Sequence, residues 1–283
     1  MNLSSIQTPA GNFTIAAFDH RGTLAKTFNL DPQSEVAGKF LTQIKTLFME
    51  TFSPICSGVL VDPIYGFPAI ARKAKNTGLI LPLESSGYSD DHAAIPNMIP
   101  NWGVVNIKNN YAVAKLLVYY HPAETNAQEK LKIVMELCEY CHQQNISFLV
   151  EPIVYNPTSS TELTPAEFAE AQLNMVQDLQ PYCDVLKLQY PGNALAAATI
   201  TAALDIPWIL LSRGMPYPQF TEALRVCMEN GAKGFAAGRA VWQEISKILT
   251  PDGQPDLPKI NEFLQTTGKE RMQGLIEIVE KKA

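Results

Sequence analysis

Eight short apolar runs recur along the chain at near-regular intervals, and this repetition limits the fold more than any other feature. They are FTIAAFD (13–19), SGVLVD (57–62), GLILPLE (78–84), AKLLVYY (114–120), ISFLVEP (146–152), DVLKLQ (184–189), PWILLS (207–212) and AKGFAAG (232–238). Most are continuously apolar, as strands covered on both faces are. Between them lie helical patterns. One opens at Ser34 and runs over 34–52, an amphipathic one covers 124–144, and one over 217–230 stops at Gly231. In TPAEFAEAQLNMVQDL, Thr164 is placed as N-cap, Pro165 as first helical residue and Glu167 as capping-box partner. Strands of this kind alternating with helices imply a parallel sheet. Eight such units in 283 residues point to a single-domain (β/α)8, or TIM, barrel over 1–283, with an open doubly wound sheet as the alternative. The stretch 85–113 reads as an irregular loop over the barrel mouth, and 258–281 as a closing helix.

Composition removes several classes of function. A net charge of −6, with no Lys/Arg block, offers no general attraction to nucleic acid or anionic lipid. No run approaches the roughly 18 apolar residues of a membrane span, and the start shows no leader pattern, so a cytoplasmic protein is expected. Five cysteines, an odd number, suit a reducing compartment without a disulfide framework. Cys138, Cys141 and His142 match the C-x-x-C-H of haem attachment. However, Leu131, Val134, Leu137, Cys138 and Cys141 fall on one face of a helix, which gives the pair a packing role. No second ligand pair follows at zinc spacing, so neither a zinc site nor an attached haem is expected.

In a (β/α)8 barrel chemistry sits at the C-terminal ends of the strands, and polar residues gather there in this sequence. Strand one ends in Asp19, His20 and Arg21, strand two in Asp62, strand three in Glu84 and strand five in Glu151. Lys115 lies early in strand four and Lys187 within strand six, while Ser212, Arg213 and Gly214 close strand seven and Gly238 and Arg239 follow strand eight. A period of two puts Val185, Lys187 and Gln189 on one face and Leu186 and Leu188 on the other. If the leucines meet helices, Lys187 points into the barrel, where burial and a second inward cation, Lys115, both disfavour its ammonium form. A neutral amine in a dry pocket is a nucleophile for carbonyls. Glu151 would lie between the lysines and move protons. The alternative is a structural Lys187 neutralised by Glu151 or Asp19.

The loops after strands seven and eight are where such barrels frequently bind phosphate, so Ser212, Gly214, Gly238 and Arg239 are candidate anion ligands, helped by backbone N–H groups opening the helix GRAVWQEI. Arg239 as an ordinary surface arginine is the alternative. Asp62 and Glu84 read as helix caps, mouth acceptors or substrate contacts, His20 as a ligand or a satisfied polar residue, and Tyr119 and Tyr120 as packing residues.

FDHRG (18–22), LVDPIYGFPA (60–69), LESSGY (83–88), AKLLVYYHP (114–122), LVEPIVY (149–155), DVLKLQYP (184–191), PWILLSRG (207–214) and GAKGFAAGRAVW (231–242) resemble, in order, the class I tagatose 1,6-bisphosphate and sulfofructosephosphate aldolases. The resemblance implies a cofactor-free aldehyde-lyase, a homo-oligomer whose ligand is a sugar phosphate. It implies Lys187 as Schiff-base lysine, Glu151 as proton shuttle, Lys115 as the residue that activates the nucleophile and holds substrate, and Asp19 as a contact for substrate hydroxyls. Ser212, Gly214, Gly238 and Arg239 would hold phosphate, with Arg21, His20 and Arg213 as further substrate contacts. His20 stands where the family has glutamine, Gln189 where it has glutamate, and Arg213 where it has a small residue. The glycine-rich approach to strand four is missing. These departures leave open a sugar-phosphate-binding regulatory protein with weak turnover.

Overall fold

The eight apolar runs form a closed parallel barrel in the order β1 to β8, with β8 pairing back onto β1. The computed structural model describes residues 2–85 and 91–281. Its strands are β1 (Phe13–Phe18), β2 (Gly58–Val61), β3 (Gly78–Pro82), β4 (Val113–Tyr119), β5 (Phe148–Ile153), β6 (Val185–Leu188), β7 (Trp208–Leu211) and β8 (Gly234–Ala237). Alternation sorts their side chains into two cores. Phe13, Ile15, Leu60, Ile80, Val113, Leu149, Val185 and Ile209 pack together inside the barrel. Their sequence neighbours, among them Val59, Leu81, Ala114, Val150, Leu186 and Leu210, pack with the helices outside. Each apolar side chain buried this way contributes about 2 kcal/mol before the entropy of ordering is counted.

A short 3-10 turn, Ser4–Ile6, closes the floor and buries Ile6 completely against the interior core. Gly78 permits this closure, because a Cβ there would stand 2.0 Å from the Ser5 carbonyl oxygen.

The helices are α1 (Gly22–Thr27), α2 (Glu35–Phe52), α3 (Phe67–Ile70), α4 (Val104–Asn109), α5 (Ala127–Gln143), α6 (Pro165–Leu179), α7 (Ala194–Ala203), α8 (Tyr217–Glu229), α9 (Arg239–Trp242), α10 (Leu257–Phe263) and α11 (Lys269–Glu280). Ser34 caps α2 by accepting from Ala37 N, and Thr164 and Glu167 form the reciprocal box at α6. One π turn, Leu264–Gly268, joins α10 to α11. Two local differences from the sequence reading have simple causes. Within 85–113 the structure places α4 and an antiparallel bridge between Glu84 and Met98, and a six-residue helix is too short to show a period. GRAVWQEI forms only the four residues of α9 before tightening into a 3-10 turn over Gln243–Lys247. Residues 86–88 of the LESSGY segment lie outside the described residues.

All five cysteines are free and buried. Burial pushes the Cys138 thiol up to about 11 and those of Cys141 and Cys227 up to about 12. His142 pairs with Asp184 at 3.1 Å, and Asp184 Oδ2 accepts from Phe148 N at 2.8 Å, so this end of α5 ties to the starts of β5 and β6. The C-x-x-C-H pattern is therefore a helix-packing face. Among the described residues no helix is long and apolar enough to cross a membrane.

Candidate active site

The alternation that fills the barrel with Ala17, Val113, Leu149 and Val185 carries the next inward positions, Asp19, Lys115, Glu151 and Lys187, into a polar layer above that core. Glu84, just past β3, joins them. Lys115 Nζ lies 2.5 Å from Glu84 Oε1, 3.0 Å from Glu151 Oε2 and 3.2 Å from Asp19 Oδ2. Lys187 Nζ lies 2.8 Å from Glu151 Oε1. Glu151 thus holds one lysine on each oxygen. The layer is nearly closed to solvent, with Lys115 1% exposed, Lys187 5% and Glu151 7%.

Burial works against every charge in this layer, and the ion pairs decide who keeps one. Burial favours the neutral form of Asp19, yet Lys115, His20 and Lys187 together hold its carboxyl well below the usual range. Glu151 is also held low, since Lys115 and Lys187 outweigh its burial. Burial lowers the Lys115 ammonium, but Glu151, Glu84 and Asp19 raise it well above the ordinary lysine value. Glu84 differs: burial raises its pKa, Lys115 only partly offsets this, and Asp19 adds repulsion. The sequence pattern had suggested one acid between two cations. The structure places three carboxyl groups around Lys115, so its charge is matched by acids before it reaches Lys187.

Above this layer opens a cavity of about 690 Å³ that reaches Lys187, Lys115, Glu84 and Glu151 below and Ser212, Gly214, Gly238 and Arg239 at its rim. Arg213 has a positive φ of 44° and Gly214 one of 78°, a turn that exposes the Arg213 side chain beside Arg239. A Cβ on Gly214 would come within 3.2 Å of the Arg239 guanidinium carbon, and one on Gly238 within 2.6 Å of the Ala17 carbonyl oxygen. Ser212 Oγ accepts weakly from Gly238 N at 3.4 Å. The two guanidiniums repel one another, and neither has a carboxylate ion-pair partner among the described residues.

His20 and Arg21 complete the β1 side. Burial carries the His20 imidazole down to about 4, against the pull of Asp19, so it is neutral at pH 7. Its ring meets Trp242 edge-on at 5.6 Å between centroids. Buried Arg21 donates from Nη2 to the Glu84 carbonyl oxygen at 2.8 Å. His20 Nδ1, Arg21 Nη1 and Glu84 Oε2 are buried without hydrogen-bond partners among the described residues, and all three residues line the cavity. Unsatisfied buried polar atoms are costly, and a polyhydroxylated ligand would satisfy them.

Tyr119 falls differently from the sequence reading, whereas Asp62 takes one of the roles that reading allowed. Asp62 is a structural cap: Oδ1 accepts from Ile64 N and Tyr65 N, and Oδ2 pairs with Lys45 at 2.6 Å. Lys45 escaped notice, although it lies in the Leu41, Lys45, Phe48, Phe52 stripe of α2. From this fully buried position it donates to the Phe18 and His20 carbonyl oxygens, fixing the turn that carries Asp19. Tyr120 packs as expected and donates to Asp178, whereas Tyr119 lines the cavity with its ring stacked on His92 at 4.0 Å. Gln189 accepts from Val154 N at 2.7 Å and offers its own carbonyl to Gln172, a backbone-tying role.

Fold and site together define a (β/α)8 barrel protein with a lysine–carboxylate centre at the C-terminal mouth and an arginine-flanked rim. The model of the DeoC/LacD family aldolases matches residues 13–244, and the chain belongs to that family. It is 28% identical to tagatose 1,6-diphosphate aldolase 2 of Streptococcus pyogenes serotype M3, the alignment covering 96% of this chain and 92% of that one. To the tagatose 1,6-diphosphate aldolase of Staphylococcus aureus it is 27% identical, covering 98% and 94%. Among solved structures it is similar to a Schiff-base-forming fructose-1,6-bisphosphate aldolase, with TM-score 0.64, 18% identity and 97% and 96% coverage. An archaeal fructose-1,6-bisphosphate aldolase whose catalytic lysine is covalently bound to a carbinolamine gives TM-score 0.65 at 17% identity, covering 97% and 96%. These likenesses are of fold.

Proposed function

We propose that the protein is a Schiff-base aldolase that reversibly cleaves a ketohexose 1,6-bisphosphate such as tagatose 1,6-bisphosphate, or 6-deoxy-6-sulfofructose 1-phosphate, to dihydroxyacetone phosphate and a three-carbon aldehyde. The observation that carries this reading is Lys187, an amine 5% exposed on the cavity floor whose contact at 2.8 Å is the carboxylate of Glu151. That contact gives the lysine's proton a place to go. The free amine then adds to the C2 carbonyl carbon, and the carbinolamine oxygen leaves as water. In the resulting iminium the nitrogen accepts the electron pair of the C3–C4 bond as it breaks. The C4 hydroxyl gives up its proton to a carboxylate of the cluster, and the aldehyde departs. Glu151 protonates C3 of the enamine, and water releases dihydroxyacetone phosphate from Lys187.

Lys115 keeps Glu151 and Asp19 ionised and fixed, and Asp19 meets the substrate hydroxyls. Ser212, Gly214, Gly238 and Arg239 receive the phosphate next to C2, where two neighbouring guanidiniums without a carboxylate ion pair among the described residues favour a dianion. Arg213 stands exposed at the same rim, suited to a phosphate or a sulfonate. His20 and Arg21 offer their unsatisfied nitrogens to the sugar.

Borohydride reduction in the presence of each ketose phosphate, followed by peptide mass mapping, tests the reading. A substrate-dependent mass gain on Lys187 and loss of cleavage in Lys187→Ala are expected. No adduct with any of the sugars, together with undiminished turnover in that variant, would overturn it. Cleavage rates for tagatose and fructose 1,6-bisphosphates and for the sulfo-sugar then rank the substrates. Tight binding without turnover would favour a regulatory protein.

A further inference from the structure

Three carboxyl groups converge on the single ammonium of Lys115, and with Lys187 the formal sum of the layer is three negative against two positive charges. Like charges this close in a largely buried layer disfavour full ionisation, and a proton on one member relieves the excess. Asp19 faces Lys115 and has the further pull of Lys187 and Lys45. Glu151 has an ammonium on each oxygen. Glu84 has Lys115 on Oε1 only; its Oε2 is buried and has no partner among the described residues, and the residue lines the cavity. Arg21, from the turn after β1, meets the main-chain oxygen of Glu84, and Lys45 on α2 is occupied by Asp62 of the β2 end. A bare, ionised oxygen in that position would be the costliest arrangement in the layer.

We propose that Glu84 carries a proton of its own and passes it through Lys115 to Glu151, acting on the reaction as a positioning residue and proton reserve. The inference rests on the Schiff-base reading above, whose chemistry gives it a purpose. Water leaving C2 takes two protons, both originally on the Lys187 nitrogen, whereas Glu151 holds one at a time. In the relay the Glu84 carboxyl turns to bring its proton onto the oxygen facing Lys115, and that proton moves to Nζ as an Nζ proton moves to Glu151 Oε2, so Lys115 is an ammonium before and after. One O–H bond forms on Glu151 and one breaks on Glu84, and Lys115 ends as it began. The second proton from Lys187 returns to Glu84 by the reverse path, so the cycle balances without any change of oxidation state.

Glu84→Gln keeps the Oε1-type acceptor for Lys115 and removes the exchangeable proton. In this variant kcat is expected to fall about tenfold or more with KM little changed, within the range of a general acid–base contribution. The borohydride-trappable adduct on Lys187 still forms, only more slowly. Raising the pH of the wild type ionises Glu84 and removes the reserve, so the basic limb of its kcat profile is expected to vanish in the variant. Isotope-edited infrared spectra of glutamate-labelled wild type give a readout that does not depend on how the variant folds. A carboxylic-acid C=O band is expected at pH 7, disappearing in Glu84→Gln where that protein folds. An unchanged kcat and pH profile in the variant, or absence of the band in the wild type, overturns the proposal. Failure to trap Lys187 in the wild type would instead sink the aldolase reading, and the infrared band would still decide where the proton lies.

Discussion

Lys115 does more for the site by what it neutralises than by where it could touch a substrate. Its Nζ is the shared partner of Asp19, Glu84 and Glu151, and it is 1% exposed. Removing one member of a buried ion cluster leaves uncompensated charge, at a cost of roughly 3–5 kcal/mol. Lys115→Met should therefore lose about that much stability at pH 7 in urea titrations, and the loss should shrink on acidification. The sign follows from linkage. Asp19 and Glu151 are held below their unfolded values, so their stabilisation is full above pH ~4 and fades as pH falls further. Glu84, held above its unfolded value, contributes most below that point and less as pH rises. Without Lys115 the folded carboxyls take up protons near neutral pH, and acid restores what the substitution removed. A loss of equal size at pH 4 and pH 7 would contradict this picture.

Elements differ in how plainly they announce themselves. The α6 signal Thr164, Pro165, Glu167 was complete in the sequence because capping is local, and Thr164 Oγ1 and Glu167 N meet at 3.3 Å as the box requires. Thr164→Ala should cost about 1 kcal/mol in denaturant titration and leave turnover unchanged, since no residue of the helix start lines the cavity. A drop in kcat would show that α6 positions the site. By contrast, Lys45 on α2 and Lys130 on α5 are fully buried, and each holds a strand end by donating to main-chain carbonyls, of Phe18 and Tyr119 respectively. A lysine between apolar residues is ordinarily read as the solvated side of an amphipathic helix. Its i, i+4 relation to Leu41 and Phe48–Phe52, or to Val134 and Cys138, was the signal that it sat in the core stripe. The partners that make such burial affordable, Asp62 and Glu124, are remote in sequence or lie before the helix. That pairing is tertiary information. Three-residue to six-residue helices such as α4 leave no period at all, which is why 85–113 read as irregular.

At the scale of the molecule, the barrel, its strand order and the inward set Asp19, Lys115, Glu151 and Lys187 were legible because strand alternation is a sequence property. The three-carboxyl convergence on Lys115 was not, since it depends on barrel closure bringing β1, β3, β4 and β5 to one point. The same closure separates two tasks. The floor, sealed by Ile6, serves stability, and the mouth holds the proposed chemistry. Ile6→Ala should cost about 2–4 kcal/mol in denaturant midpoint while kcat and KM stay within twofold of the parent. A large kinetic effect would mean that the two ends communicate. Finally, all five thiols lie inside the protein, with those of Cys138, Cys141 and Cys227 raised to about 11 or 12. A single cysteine introduced on the mouth loops would therefore accept a fluorophore at neutral pH with the parent thiols left in place. The folded enzyme is its own protecting group, ready for distance measurements across the cavity.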